Sequence, residues 1–323
     1  MLTAACGGAR TMAHATYQHL YGPVPSRRLG RSLGINMVPH KVCCFDCIYC
    51  QLGRTTTHTV VSAEYVPSAE IILELESWLR RDGQADFLTF AGCGEPTLHS
   101  RLADIMAIAR EKTDIPIALL TNGALLWTEQ GRAAALQADV LLPSLDAGTV
   151  PTFERINRPC AELSLERIIA GMAETVAQAP ARTWLEVMIV KGVNDGAAEL
   201  EAIAQAAALI NPDQIQVNTV VRPVPGGGAE RIGDEDLQRI CRILGPKASV
   251  IPSAWERTAP AGAERNVDEV LALVNYRPCT LQDIAHGLGI HPNEALKYVT
   301  GLLSTGRVHA VERDGQTFYT GAH

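Results

Sequence analysis

Four of the nine cysteines in this chain fall within eight residues, at Cys43, Cys44, Cys47 and Cys50. Such a cluster is typical of metal or iron–sulfur binding, and the isolated remaining cysteines argue against paired disulfides. Two spacings are open. Cys44, Cys47 and Cys50 give C-x2-C-x2-C, the start of a ferredoxin-type run that needs a fourth cysteine soon after. Cys43, Cys47 and Cys50 give C-x3-C-x2-C, and three thiolates can hold a [4Fe-4S] cluster with one iron left open.

A zinc knuckle is the alternative for these cysteines. A structural zinc site closed by thiolates alone takes four of them. No second CxxC pair follows Cys50 along the chain. We therefore favour an iron–sulfur cluster with three protein ligands.

The elements that must position the cysteines alternate along the chain. Short apolar runs predict strands buried on both faces, at Leu33–Val38, Asp86–Ala91, Ile115–Thr121, Val140–Leu145, Trp184–Val190 and Gln214–Val220. Helical patterns follow them at Ser68–Arg81, Ser100–Glu111, Ala124–Leu136, Leu163–Ala179, Ala197–Ile210 and Asp234–Leu244. Ser68 is placed to cap the first helix, and Asn211-Pro212 to end the fifth. Six such units predict a parallel α/β fold, as an open sheet or a partial barrel.

Polar and glycine-rich residues follow each predicted strand. In both architectures the carboxyl ends of the strands carry the chemistry. The residues at those ends are the cysteine cluster, Gly92–Pro96, Asn122-Gly123, Ser144 with Asp146, Lys191–Asp195, and Asn218 with Arg222. Together they predict one active-site face.

The charge of the chain is unevenly distributed. The formal net charge is −7, which argues against nonspecific nucleic-acid binding by the whole chain. The segment 27–54 nevertheless has a local charge of +4, because one acid, Asp46, stands against the basic residues Arg27, Arg28, Arg31, Lys41 and Arg54. A basic rim would attract an anionic substrate such as a phosphate, a carboxylate or a nucleic acid. The alternative is that these cations pair with acids on other loops.

A second unit is predicted at residues 265–323, after an N-terminal flexible extension (1–20) and the α/β domain (21–258). Its pattern is three helices and two short strands, at Asn266–Tyr276, Thr280–Gly287, Asn293–Ser304, Val308–Arg313 and Gln316–Thr320. Thr280 and Asp283 are spaced as a capping box. This order is that of a winged helix-turn-helix. Residues 264–323 carry five basic and seven acidic side chains, so specific DNA recognition is not expected. Docking of a protein or peptide, dimerisation, or covering the barrel mouth fits better.

The string CCFDCIYCQLG, placed after the first strand, resembles the signature of the radical S-adenosylmethionine (radical SAM) superfamily. More narrowly, the chain is similar to wyosine-synthase-related Fe-S oxidoreductases over residues 21 to 225, in YGPVPSRRLGRSLGIN, AGCGEPTLH, TNGALL, SLDAGT, EVMIVKGVND and NTVVRP. The resemblance implies a partial (β/α)6, TIM-barrel-like fold that binds a [4Fe-4S] cluster and S-adenosyl-L-methionine (SAM). Reductive cleavage of SAM would give a 5′-deoxyadenosyl radical that abstracts hydrogen from a substrate.

The resemblance also implies roles for individual residues. Cys43, Cys47 and Cys50 would ligate the cluster. The expected SAM contacts are Tyr49 near the adenine, Gly92, Gly94 and Glu95 near the methionine amino group, Ser144 and Asp146 near the ribose, and Asn122, Val193, Asn194 and Asn218 as further neighbours. Cys93, between the two glycines, is expected to be a packed thiol. No residue is assigned as a catalytic acid or base.

Three functions follow from these observations. The first is a radical SAM enzyme that acts on an anionic substrate in the manner of RNA modification. Wyosine synthesis itself is not expected, because wyosine synthases carry further cysteines upstream, whereas here only Cys6 precedes Cys43. The second is a radical SAM enzyme that modifies a peptide, protein or small metabolite, with the winged helix as docking module. The third is a non-enzymatic Fe-S regulator that binds DNA. A cytoplasmic protein without a membrane span, reduced by a flavodoxin- or ferredoxin-type donor, is expected in the first two cases.

Overall fold

The computed structural model describes residues 17–252 and 267–322 of the chain. Twelve strands are present in this part: β1 Leu20–Ser26, β2 Gly30–Asn36, β3 Val42–Cys43, β4 Thr57–His58, β5 Phe87–Ala91, β6 Ile117–Thr121, β7 Val140–Pro143, β8 Arg182–Ile189, β9 Gln214–Thr219, β10 Ala248–Val250, β11 Val308–Arg313 and β12 Gln316–Gly321. Ten α-helices accompany them: α1 Ser68–Arg81, α2 Leu102–Lys112, α3 Glu129–Ala135, α4 Val150–Ile156, α5 Leu165–Gln178, α6 Ala197–Ile210, α7 Asp234–Leu244, α8 Val267–Tyr276, α9 Leu281–Leu288 and α10 Pro292–Ser304.

Eight strands form one sheet in the order β1-β2-β5-β6-β7-β8-β9-β10. Every neighbouring pair is parallel except β1 and β2, which form an antiparallel hairpin. The helices cover the sheet with apolar stripes at helical spacing; in α1, for example, Ile71, Leu75 and Trp78 are buried. The predicted α/β class with a mostly parallel sheet is confirmed, and all six predicted strands are present.

The sheet is curved, so that its two halves meet across the interior. Arg27, in the turn between β1 and β2, donates to Asn218 Oδ1 of β9 at 3.2 Å. Arg28 in the same turn donates to Glu186 of β8. Strands at opposite ends of the sheet order are therefore in side-chain contact. A flat sheet would keep them apart by the width of the intervening strands, about 4.8 Å each.

Several local predictions were wrong. Strand β1 was missed, and β10, the pair β3–β4 and helix α4 were missed as well. The third predicted helix begins at Glu129 rather than at Ala124, because the Thr128 side chain caps it by accepting from Gly131 N. Ser68 does not cap α1: Pro67 occupies the N-cap position, and the Ser68 N–H and O–H both donate to Glu64 Oε1.

Other local predictions were confirmed. Asn211 ends α6 in the left-handed conformation, with φ 54°. Thr280 and Asp283 form the predicted capping box of α9. Cys6, the loop 259–263, Arg265 and most of the predicted N-terminal extension lie outside the described residues. Among the described residues, no helix is both long and apolar enough to cross a bilayer.

The C-terminal unit consists of α8, α9, α10 and the antiparallel hairpin β11–β12. The three helices and two strands match the predicted order of elements; their identification as a winged helix stays a prediction. The unit packs against β1: Tyr276 stacks on Tyr21 with ring centroids 3.8 Å apart, and Val24 joins the hydrophobic core of the unit. One side of the barrel is thus covered by the C-terminal unit.

Substitution of Gly34 tests this packing. Gly34 of β2 lies opposite Tyr21, and a Cβ there would come within 2.0 Å of Tyr21 Cζ. We expect Gly34→Ala to lower the free energy of unfolding by about 1–3 kcal/mol, because the ring that stacks on Tyr276 must move. Urea unfolding measures this. Gly301→Ala in α10 is the control: no neighbouring atom lies within 4 Å of its added Cβ, and helix propensity predicts a gain of roughly 0.5–1 kcal/mol. An equal effect of both substitutions would contradict the packing of the Tyr21 ring over Gly34.

Candidate active site

The cysteine loop begins directly after β2 and is held by backbone hydrogen bonds. β3 pairs with β4, Thr59 N donates to Cys43 O at 3.1 Å, and Cys50 N donates to Cys47 O at 3.1 Å. Cys43, Cys47 and Cys50 are partly exposed, whereas Cys44 is fully buried. The local geometry thus separates Cys44 from the other three, as the C-x3-C-x2-C spacing requires.

Each of the three partly exposed sulfurs has a polar donor nearby. Asn122 Nδ2 lies 3.6 Å from Cys43 Sγ, and Asn157 Nδ2 lies 3.4 Å from Cys47 Sγ. Lys41 Nζ donates to Cys50 Sγ at 3.1 Å. Hydrogen bonds of this kind favour the thiolate form, which is the form that binds metals. At Cys47, however, burial outweighs the Asn157 contact and raises the pKa of the thiol well above its usual value. Nothing in the sequence pattern indicated Asn157, and Lys41 was noted only for its charge.

The ionisation of these groups follows from burial and from their neighbours. Burial lowers the pKa of Lys41, but the thiolates of Cys50, Cys43 and Cys47 outweigh it and raise that pKa above its usual value. Burial raises the pKa of Cys44 well above its usual range, so this thiol stays protonated. Among the described residues, no three His, Cys, Asp or Glu side chains are close enough to surround a single metal ion.

Glu95 connects the loops that follow β5 and β6. Its buried carboxylate accepts hydrogen bonds from Thr97 N at 3.0 Å, Thr97 Oγ1 at 2.6 Å, Thr121 Oγ1 at 2.6 Å and Asn122 N at 2.7 Å. Burial raises its pKa, against the effect of these donors. Glu95 therefore positions Asn122, which in turn faces the cysteines.

Tyr49 is held in place by Asp146, which follows β7. The Tyr49 hydroxyl donates to Asp146 Oδ2, which also accepts from Asn157 Nδ2 at 2.8 Å, and Met188 N donates to Asp146 Oδ1 at 3.0 Å. Burial raises the pKa of Asp146 to about 6. In the structure Asp146 binds protein donors and fixes the ring of Tyr49.

The glycines of the loop after β5 are required by contacts inside the protein. A Cβ on Gly92, where φ is 142°, would lie 2.1 Å from Asn36 Oδ1; one on Gly94 would lie 2.0 Å from Val42 O. The contacts with Asn36 and Val42 are therefore sufficient to explain why glycine stands at these two positions. Cys93 between them is buried, as expected for a packed thiol, and burial raises its pKa to about 12.

The remaining four expected SAM contacts lie in different parts of the structure. Asn194 is fully buried, and its amide bonds to Val190 N, Asp146 O and Met188 O. Val193 lies in the adjoining turn, where its N–H donates to Val190 O at 3.1 Å. Ser144 follows β7 and forms an isolated parallel β-bridge, through its backbone, with Glu186 of β8. Asn218 donates to Glu186 Oε1 at 2.8 Å and faces the interior of the barrel.

A cavity of about 360 Å³ occupies the barrel interior beside the cysteine loop. The cysteine loop contributes Tyr49, Cys50 and Gln51 to its wall, and the loop after β5 contributes Gly92. The opposite wall contains four arginines, Arg27, Arg28, Arg222 and Arg277. Two of the expected SAM neighbours, Tyr49 and Gly92, thus line the same cavity as Asn218 and the arginines.

The basic rim predicted for segment 27–54 is only partly realised. Arg28 pairs with Glu186, Arg54 lies 3.7 Å from Asp46 and is exposed, and Lys41 faces Cys50. Arg27 reaches neutral oxygens, those of Asn218 and Pro252. Two of the cavity arginines, Arg222 and Arg277, lie outside segment 27–54, so the positive charge of that segment did not indicate them.

Comparison of the sequence with known protein families identifies the family of this chain. Residues 37–206, more than half of the chain, match the family described as "Radical SAM superfamily". The chain therefore belongs to the radical SAM superfamily, whose members are enzymes that use a [4Fe-4S] cluster and SAM.

Its relatives refine this placement. The chain is 30% identical over 305 residues to a UPF0026 protein of Methanocaldococcus jannaschii, with 93% of this chain and 94% of that protein covered. It is 32% identical over 302 residues to a protein of Brachyspira hyodysenteriae named GTPase Obg, of which it spans only 44%. In fold it is similar to TYW1 with a lysine–pyruvate adduct bound, with TM-score 0.51 and 15% identity over 69% of this chain and 75% of that one.

Replacement of Glu95 tests its positioning role. Glu95→Gln places an NH2 group among four donors, so at least one donor loses its buried acceptor. We expect a loss of about 1–3 kcal/mol in the free energy of unfolding, measured by urea unfolding of the cluster-free protein. Glu201→Gln on the exposed face of α6 serves as the control. Unchanged stability of Glu95→Gln would show that the carboxylate does not hold these loops.

Proposed function

We propose that Cys43, Cys47 and Cys50 bind the [4Fe-4S] cluster at the carboxyl end of the barrel. The observation that carries this proposal is that these three thiols are partly exposed, whereas Cys44, whose Sγ also accepts from Asn122 Nδ2 at 3.2 Å, is fully buried. When bound, the cluster and SAM supply a 5′-deoxyadenosyl radical that takes hydrogen from the substrate. The open side of the site is the cavity wall formed by Tyr49, Cys50 and Gly92.

The chain's own residues prepare this site in three ways. Lys41, Asn122 and Asn157 direct N–H groups at the sulfurs. These donors stabilise the thiolates and partly compensate their negative charge. Asp146 fixes Tyr49, so that an aromatic face is held at the cavity wall for the adenine. The C-terminal unit and the β1–β2 turn both line the cavity, which screens part of a reactive site from water.

The substrate that the cavity favours is anionic. Four arginines line it, and only one of them, Arg28, forms an ion pair among the described residues. The resemblance to wyosine-synthase-related proteins and the fold similarity to TYW1 make an RNA substrate one candidate. The cavity volume of about 360 Å³ favours the other, a small anionic metabolite, since a polynucleotide could place only a small part of itself inside.

The C-terminal unit provides little support for nucleic-acid binding. Of its described basic side chains, Arg277 faces the cavity, Arg313 donates to Arg222 O and Ala229 O, and Arg307 pairs with Asp268 at 3.6 Å, which leaves Lys297 exposed on α10. Cations used in this way do not contact phosphates on an outer surface. A DNA-binding regulator is therefore not favoured, and the unit serves instead as the cover of the barrel. An external one-electron donor of the flavodoxin or ferredoxin type would reduce the cluster.

Cysteine substitutions test the ligand assignment. Single Cys43→Ala, Cys47→Ala or Cys50→Ala variants should lose most cluster iron after anaerobic reconstitution, and release of 5′-deoxyadenosine with dithionite should fall at least about a hundredfold. Cys44→Ala is the matched control, and it should keep about four irons per chain. Iron analysis and chromatography of the nucleoside measure both. Loss of the cluster in Cys44→Ala together with its retention in Cys43→Ala would favour the C-x2-C-x2-C set instead.

A further inference from the structure

Arg27, Arg222 and Arg277 come together where the C-terminal unit meets the barrel. Arg27 belongs to the β1–β2 turn, Arg222 follows β9, and Arg277 follows α8, yet all three line the same cavity. We call them the seam arginines.

Among the described residues, the hydrogen bonds of the seam arginines all go to neutral oxygens. Arg222 Nε donates to Pro278 O at 3.0 Å, and Arg277 Nη2 donates to Pro25 O at 3.2 Å. Arg27 donates to Asn218 Oδ1 at 3.2 Å and weakly to Pro252 O at 3.4 Å. The Nε of Arg277 is buried and has no hydrogen-bond partner among the described residues.

Two acids, Glu186 and Asp283, lie near the seam arginines and favour their charge, although neither forms an ion pair with them among the described residues. Glu186 pairs with Arg28, and Asp283 Oδ2 accepts from Thr280 N at 3.1 Å within the capping box of α9. In the part of the chain that the structure describes, no seam arginine forms an ion pair. Burial, followed by the charge of Arg277, lowers the pKa of Arg222 to about 10. Burial, Arg28 and Arg277 likewise lower the pKa of Arg27, although Glu186 acts in the opposite direction.

Three partly buried guanidinium groups that form no ion pair among the described residues favour the binding of an anion, because partial burial weakens the solvation of their charge. Guanidinium groups bind both carboxylates and phosphates through paired N–H donors. A single carboxylate carries one negative charge, whereas a phosphate monoester carries about −1.5 to −2 and three acceptor oxygens. A phosphate therefore matches the number of charges and donors better.

We propose that the seam arginines bind the phosphate group of a small phosphorylated substrate, whose remainder extends through the cavity towards the part beside Tyr49 and Cys50 that the proposed function assigns to the cluster and SAM. This inference rests on the proposed function, because it places the reacting end of the substrate beside the cysteine loop. It also gives the C-terminal unit a direct part in substrate binding, through Arg277. The cavity volume of about 360 Å³ fits a small molecule of this kind.

Binding of inorganic phosphate tests the subsite without knowledge of the substrate. We expect phosphate, titrated at constant ionic strength, to raise the unfolding temperature of the reconstituted protein. Arg277→Gln should weaken the apparent affinity for phosphate at least about tenfold, since a charge-assisted hydrogen bond is lost. Arg307→Gln in the same unit, where the guanidinium pairs with Asp268 outside the cavity, should behave as the wild type. Acetate should stabilise the protein much less than phosphate.

Arg27→Gln provides a second variant if Arg277→Gln fails to fold, because the Arg27 side chain contacts only the oxygens of Asn218 and Pro252 by hydrogen bonds. Undiminished phosphate affinity in the folded variant, an equal loss in Arg307→Gln, or equal stabilisation by acetate would overturn the proposal.

A second measurement separates this proposal from the proposed function. Substrate-free release of 5′-deoxyadenosine should be unchanged in Arg277→Gln, since the seam arginines serve the substrate and not SAM. If that release is lost while the wild type remains active, the arginines bind the SAM carboxylate, and the phosphate subsite is wrong. If the wild type itself binds no cluster and releases no 5′-deoxyadenosine, the proposed function fails, whatever phosphate does.

Discussion

The buried ion pair between Arg28 and Glu186 joins the two ends of the curved sheet. Both side chains are only 16% exposed. Burial alone would raise the pKa of Glu186, but Arg28 and the amide of Asn218 hold it below its usual value. A buried charge that lost its partner would cost several kcal/mol, so the β1–β2 turn is fixed against β8 and β9. That contact sets the position of Arg27, and with it one wall of the cavity.

The same pair explains why a net positive charge persists inside the barrel. Glu186 is the carboxylate among the cavity-lining residues, and one arginine already neutralises it. The remaining guanidinium groups are held by backbone and amide oxygens, which orient them without cancelling their charge. Fixed positive groups in a site of low polarity attract an anion more strongly than they would in water.

The sequence predicted the fold well where local pattern and tertiary burial agree. Strands such as Ile117–Thr121 are buried on both faces, and continuous apolar runs are sufficient to identify them. Strand β1 was missed because Gly22, Pro23 and Pro25 weigh against a strand, although the edge of a sheet tolerates proline. Which strands the β1–β2 turn contacts across the barrel depends on the curvature of the sheet, and no local sequence pattern encodes that curvature.

The candidate site was predictable in its location but not in the direction of its side chains. Polar residues at strand ends were correctly placed at one edge of the sheet. Which of them face the cavity depends on tertiary hydrogen bonds: Glu95 and Asn194 bind backbone groups of neighbouring loops, whereas Asn218 lines the cavity. Asn157, beside Cys47, is more than a hundred residues away in sequence and carries no motif.

The segment that matches the superfamily, residues 37–206, contains all three proposed cluster ligands. The four cavity arginines all lie outside it, Arg27 and Arg28 before its start and Arg222 and Arg277 after its end. If the proposed roles of the cysteines and the cavity arginines hold, the part that generates the radical and the part that selects the target are separate stretches of polypeptide. A relative that aligns only within the central segment informs us about the cofactor. One that aligns along nearly the whole chain, such as the Methanocaldococcus jannaschii protein, is the kind of relative from which substrate choice can be learned.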